Sequence, residues 1–364
     1  MSRLDDLRAL ASAPNDEPSQ TAARIELGCY LARAGELEEA RGIAETLRGR
    51  REPGIDLQSS VLAFLLDGLC AYFACDTNGA LDRLRRGFEL SRSFGLTPLS
   101  MRFAAWLLHV RFNAFRIDGC QDDLAYLAAH WKNAPQDAVI RAQLTLADME
   151  MTAGHLAPAT ARYAVTRRLA EAIGDRLVLG AIMHNRSTQL LSNFRWQEFV
   201  ERSAWRGDRF RLQELSSAES FESLVGALGG LYPYALSRAR LLLLDGDFER
   251  ALQAYEPCLE GLARGDRRLL ASARADMALC HHCLRRPDAA LALVAQVLDD
   301  GFEAAHSDDH AVALAISATI LTELGQAQRA AGILETVSTL RAANHRQMEL
   351  LQSMLSSYRD VLTA

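Results

Sequence analysis

Lysine is almost missing from the chain: of its 40 basic residues, all but Lys132 are arginine. Lys132 lies in Trp131-Lys132-Asn133-Ala134-Pro135, without the glycines of a phosphate-cradling Gly-x4-Gly-Lys loop, so that class of nucleotide site is excluded. Schiff-base chemistry has a single candidate residue for the same reason. Apolar runs are short, and none approaches the roughly 18 residues needed to cross a bilayer. The opening residues, Met1-Ser2-Arg3-Leu4-Asp5-Asp6, are acidic and periodic, unlike a basic secretory leader. Cysteine is sparse and odd in number, seven thiols scattered through apolar stretches, which reads as reduced small hydrophobes and not as a disulfide framework. These shortfalls point to a cytoplasmic chain with no membrane partner. A net charge of −6 and a pI of about 5.9 leave no positive excess for direct nucleic-acid binding.

What is present is helix. Ala, Leu, Arg and Glu dominate, and apolar residues recur at three- and four-residue spacing. Turn signals punctuate the pattern at Ala34-Gly35-Glu36, Asp76-Thr77-Asn78-Gly79, Asp118-Gly119, Ala153-Gly154-His155, Asp245-Gly246-Asp247 and Leu324-Gly325-Gln326. Each separates two amphipathic segments, so the chain reads as a series of helical hairpins. The hairpins share a spacing: a small residue in the first helix and another twelve positions later in the second. The pairs are Gly28/Ala40, Gly68/Ala80, Ala147/Ala159, Ala239/Ala251, Ala278/Ala290 and Ala318/Ala330, with Phe112/Leu124 and Ser187/Phe199 filling two further places. Four residues beyond the second member of the six small-residue pairs sits another packing residue: Ala44, Leu84, Tyr163, Tyr255, Val294 and Leu334. Antiparallel helices approach to about 8–10 Å only where small side chains meet at the crossing.

This spacing resembles the tetratricopeptide (TPR) repeat pattern of Leu-Gly-x2-Tyr followed by Ala-x3-Phe. Leu27-Gly28-x2-Leu31 with Ala40-x3-Ala44 is the clearest copy, and Arg238-Ala239-x2-Leu242 with Ala251-x3-Tyr255 is the next. The step here is about 40 residues instead of 34, and the family's early Trp and closing Pro are mostly absent. Longer repeats of this kind are similar to helical-repeat sensor domains of bacterial signalling and transcription-control proteins. The resemblance implies an all-α right-handed superhelix, an α-solenoid of about eight TPR-like hairpins closed by a C-terminal capping helix. The expected division is a lead-in over 1–18, the array over 19–342 with an irregular insertion at about 207–230, and the cap over 343–364.

No catalytic pattern stands out: there is no Gly-x-Ser-x-Gly elbow, His-Glu-x-x-His pair or dinucleotide fingerprint. Cys280-His281-His282-Cys283 and His306-Ser307-Asp308-Asp309-His310 carry metal-ligand types. Adjacent histidines diverge by about 100° on a helix, and the second run suits the capping of a helix start, so no metal and no cofactor is expected. The better candidate is the inner wall, where the first helix of each hairpin shows one stripe of side chains. Projection of the register places Trp106, His109, Asn113 and Arg116 there, then Arg141 and Asp148, then His184, Asn185 and Thr188, then Arg238 and Arg240. The first hairpins add apolar residues such as Leu62, Leu65, Leu69, Tyr72 and Phe73. Asn amides grip an extended backbone, arginine binds carboxylates and Trp supplies an anchor. The expected function is therefore a non-enzymatic module that captures a peptide or protein segment in intracellular signalling or transcription control. The Lys and Asn set that some family members use on a terminal carboxylate is absent. Three alternatives stay open: a sensor of small anionic ligands, a metal-dependent enzyme around the histidine pairs, and a scaffold or homodimer built on the apolar first hairpins.

Overall fold

The computed structural model describes residues 3–12, 17–49, 56–202, 232–264, 267–299, 307–359 and 361–362. Among these there are helices and turns and no strand. Helix α1 (Arg3–Ser12) leads into hairpins formed by α2 (Glu17–Arg33) with α3 (Leu37–Gly49) and α4 (Leu57–Phe73) with α5 (Thr77–Ser93). Next come α6 (Thr97–Asn113) with α7 (Cys120–His130) and α8 (Gln136–Thr152) with α9 (Leu156–Ala172). Helix α10 (Arg176–Arg195) runs on into a π-helical turn at Trp196–Val200. The later hairpins pair α11 (Tyr232–Leu244) with α12 (Phe248–Arg264), α13 (Arg267–Cys283) with α14 (Pro287–Asp299), and α15 (Ser307–Glu323) with α16 (Ala327–Tyr358).

One turn recurs inside the hairpins. At Gly35, Gly154, Gly246 and Gly325 the backbone enters the left-handed region, with φ of 84°, 81°, 78° and 78°. Cys75, Phe115 and Arg285 hold the same place at φ 62°, 57° and 60°. The next amide then reaches back to the carbonyl five residues earlier, as in Glu36 N to Leu31 O (2.9 Å), Asp76 N to Ala71 O (2.9 Å) and Gln326 N to Leu321 O (2.8 Å). This is the Schellman closure, which satisfies the last carbonyls of the first helix and sets the angle of return. Its recurrence every 39 or 40 residues, from 35 to 75 to 115 to 154 and again from 246 to 285 to 325, is the repeat period.

The small-residue pairs meet as expected: Ala40, Ala80, Ala147, Ala159, Ala239, Ala251, Ala278, Ala290, Ala318 and Ala330 are all essentially inaccessible to solvent. A Cβ added at Gly68 would stand 2.8 Å from Leu84, whereas one added at Gly42, on the exposed side of α3, meets nothing within 4 Å. Alanine gains up to about 1 kcal/mol over glycine in a helix, and overpacking costs about 1–3 kcal/mol. Urea unfolding should therefore show Gly42→Ala more stable than the parent and Gly68→Ala less stable, each by about 1 kcal/mol.

The helices divide into two compact units. The described part of the first lies within residues 3–182 and 350–362, that of the second within 183–202 and 232–349. Leu65, Leu66, Leu69, Leu84, Phe103 and Leu107 centre the first core. Alanines, Ile316 and Leu321 fill the second around α13–α15, and Tyr255 and Leu262 fill it around α12.

Three expectations meet a different local structure. Ser187 and Phe199 lie along one continuous helical path, because no glycine turn interrupts α10 before Trp196. Leu334 is 38% exposed and adds little to its crossing. The boundary expected at 342–343 falls inside α16, which runs unbroken for 32 residues. Its last turns and the residues after it pack in the first unit, with Leu351, Met354, Leu355 and Leu362 buried and the Leu362 carbonyl accepting from Gln143 (2.9 Å) and Arg162 (2.8 Å). The insertion at 207–230, with its Ser216–Glu219 capping box and Gly229-Gly230, lies outside the described residues, as does His306.

Candidate functional site

The inner wall of the first unit is built from the first helices of consecutive hairpins, α4, α6 and α8. Tyr72 and Phe73 close the C-terminal end of α4. Trp106, His109 and Asn113 follow at helical spacing on α6, and Arg141, Thr145 and Asp148 on α8. The aromatic rings meet edge to face: Tyr72 with Phe73 (5.0 Å between centroids), Phe73 with Trp106 (6.3 Å), Trp106 with His109 (5.4 Å) and Tyr72 with His109 (5.5 Å). Polar contacts run through the same cluster. The Asn113 amide donates to the Tyr72 hydroxyl (3.1 Å) and lies 3.1 Å from His109 Nε2, while His109 Nδ1 stands 3.3 Å from Thr145 Oγ1. Tyr72, Phe73 and Asn113 stay half-buried, so the wall keeps an accessible aromatic edge with an amide beside it. Burial, reinforced by the Arg141 and Arg33 charges, holds the His109 imidazole well below its ordinary pKa and therefore neutral.

Below this edge a cavity of about 40 Å³ opens among α1, α2, α4, α6, α8 and the start of α10. Its polar lining is ionic. Arg102 forks onto Glu26 (2.6 and 2.7 Å) and reaches Asp137 through Nε (2.6 Å). Arg33 holds Asp175 (2.9 Å), whose carboxylate also caps α10 through Val178 N (3.3 Å) and stands 3.9 Å from Arg3. Arg141 lies over the Trp106 indole, its guanidinium carbon 3.8 Å from the ring centroid.

The projected residues thus have separate fates. Trp106, His109, Asn113 and Arg141 come together. Asp148 is buried and accepts the Tyr163 hydroxyl (2.6 Å). Arg116 lies beyond the end of α6, exposed and bonded to Asn78 (2.6 Å), because the helix stops at Asn113. Leu62, Leu65 and Leu69 are buried. α1 packs along α2, with Leu4 and Leu7 against Tyr30, Ala34 and Leu177, so the lead-in is itself a helix covering apolar surface.

The second unit carries the remaining residues. His184, Asn185 and Thr188 are partly buried on α10, where burial pushes the His184 imidazole down to about 4. Arg238 is exposed on α11, and Arg240 is not open to a guest. Arg240 belongs to a buried cluster with Arg195, Ser272, Asp276 and Asp309, in which Arg195 meets Asp276 at 2.6 Å and Asp309 at 3.2 Å, and Arg240 meets Asp309 at 3.2 Å. Arg195, Arg33 and Asp175 carry no sequence signal, since their partners lie 81 and 142 positions away. Among the described residues no group of three or more His, Cys, Asp or Glu side chains is placed to hold a metal ion. Cys280 is buried, Cys283 is exposed, and His282 pairs with Glu323 (2.7 Å). Nor is any described helix long and apolar enough to cross a membrane.

No family model and no curated protein matches this sequence. Among solved structures, a Rap protein complexed with Competence and Sporulation Factor aligns over 95% of this chain and 92% of its own, at 10% identity and a TM-score of 0.57. The fold is a tetratricopeptide-like helical repeat. A tetratricopeptide repeat protein from Parabacteroides merdae also aligns, over 81% of this chain and 99% of its own, at 13% identity and a TM-score of 0.42. With that fold in hand, the 40-residue period and the Schellman turns read as a lengthened TPR-like repeat.

Proposed function

We propose that the chain is a non-enzymatic binding module whose inner wall in the first unit takes a peptide or protein segment, in the service of intracellular signalling or transcription control. The half-buried edge of Tyr72, Phe73 and Asn113 over Trp106 and His109 carries this reading. Its aromatic groups offer a rigid anchor, and the Asn113 amide, its NH2 held by Tyr72 and His109, offers its carbonyl oxygen as an acceptor to an extended backbone. The TPR-like fold supports it, as does the bound factor named for the Rap structure. Differential affinity for two arrangements of the helices would convert capture into a signal, because only differential affinity shifts a conformational equilibrium.

The test is selection of a displayed random peptide library on the purified chain, followed by fluorescence anisotropy with the enriched peptides. Asn113→Ala is expected to weaken binding about 10-fold, and Phe73→Leu by a similar factor, with helical content unchanged and both variants folded at the assay temperature. Enrichment that persists unchanged in both variants would place the binding surface elsewhere. No enrichment at all would remove the peptide reading.

A further inference from the structure

Four guanidinium groups and three carboxylates line the cavity of the first unit. Glu26 and Asp137 are both engaged by Arg102, and Asp175 is engaged by Arg33, Arg3 and the amide of Val178. Arg141 is left over. It is 8% exposed, it lines the cavity, and among the described residues no carboxylate comes within ion-pair distance of it. Asp175 and Asp148 act on its charge only from beyond ion-pair distance, and the Trp106 ring, 3.8 Å away, stabilises a cation over its face but accepts no hydrogen bond from the fork. A buried arginine without a counter-charge carries a large desolvation cost, and the usual remedy is an anion that satisfies its donors.

We propose that this cavity is a carboxylate-recognition site, in which Arg141 receives the carboxylate bidentately and Arg33 adds long-range attraction. The proposal rests on the inner wall being the binding surface and names the group its ligand must present. Size agrees: a volume of about 40 Å³ exceeds what a single water needs, so the cavity admits one planar carboxylate. Charge agrees too, since one monoanion brings the cavity lining to neutrality. Continuity with the wall is direct, because Trp106 belongs to both, beneath Arg141 and edge-on to Phe73 and His109. The donor differs from the Lys and Asn set used elsewhere in this fold, so its absence from the sequence does not bear on Arg141. Burial and the nearby Arg33 charge bring the Arg141 guanidinium down to about 9, which leaves it protonated at neutral pH and eager for a counter-ion.

The same carboxylate can come from a free acid, an acidic side chain or a chain terminus, and three probes separate these sources. They are a panel of small carboxylates (acetate, succinate, glutamate, citrate) in a thermal-shift assay, library peptides with free or amidated C-termini, and amidated peptides with Asp and Glu replaced by Asn and Gln. The intact chain is expected to prefer one carboxylate-bearing probe over its neutral counterpart at least 10-fold. Arg141→Gln should abolish that preference, and Arg141→Met, closer to a hydrophobic isostere, should do the same with a folded spectrum. The comparison of acid with amide needs only the parent protein, so it stands even if both variants unfold. If peptides bind but acid and neutral forms bind equally, the carboxylate site is wrong and the peptide wall survives. If small carboxylates stabilise the parent and no peptide binds, the site stands and the peptide reading falls. If no probe binds, both fall.

Discussion

Replacement of Asp276 by Asn is expected to destabilise the second unit by about 3–5 kcal/mol, the range for removing one member of a buried ion pair. Asp276 is fully buried, as are Tyr255 and, within 1%, Arg195. One carboxylate oxygen accepts from Arg195 at 2.6 Å, and the other accepts the Tyr255 hydroxyl at 2.9 Å with Arg240 Nε at 3.5 Å. The substitution keeps the shape and removes the charge, leaving two buried guanidinium groups to share Asp309. Neutralising the arginines and Asp309 as well should recover much of the loss, because a buried ion cluster replaced by packed neutral side chains is often close to neutral in stability. Urea titrations of Asp276→Asn and of the quadruple variant Arg195→Met/Arg240→Leu/Asp276→Leu/Asp309→Asn measure both quantities. A loss below about 1 kcal/mol in the single variant would mean that water reaches the cluster.

Acid should destabilise the chain early, between pH 6.5 and 5. His109 and His184 are both held neutral by burial, with ordinary values of 6.5 brought well below that for His109 and to about 4 for His184. The sign follows from proton counting. In this window the unfolded chain binds protons on these imidazoles and the folded chain does not, so stability is fully present above pH 6.5 and falls with pH. By pH 5 each histidine is expected to cost about 2 kcal/mol, from a limiting slope of about 1.4 kcal/mol per pH unit. The groups facing His109 are Tyr72, Asn113, Thr145 and the Arg141 cation, and none offers a negative charge to offset protonation. Equilibrium unfolding at pH 5, 6 and 7 checks the slope, and His109→Gln should remove about half of it. Equal slopes in the parent and in His109→Gln would overturn the assignment of His109 as a buried neutral group.

The inner wall shows where legibility stopped. Trp106, His109, Asn113 and Arg141 could be projected because a register of 3.6 residues and a crossing marked by small side chains determine which stripe faces inward. Arg116 failed the same projection because the helix ended three residues earlier, at a turn where Phe115 adopts φ 57° without a glycine to announce it. Arg240, expected on the inner face, is buried instead, because its counter-charges come from helices 36 and 69 positions away and take up the side chain. Leu65 and Leu69 are buried in the first core, and α1, whose short segment carries no signal of where it docks, packs on α2 beside the same cavity.

By itself the sequence determined the hairpins, their 40-residue period and the small-residue crossings, since these depend on propensity, turn chemistry and steric fit between neighbours in the chain. The tertiary structure alone decided which of the inward charges are spent on one another and which remains over. That difference is physical: the pairing of a buried arginine depends on groups brought within 4 Å from more than a hundred positions away, as Asp175 is brought to Arg33, and Arg141 stands without such a group among the described residues.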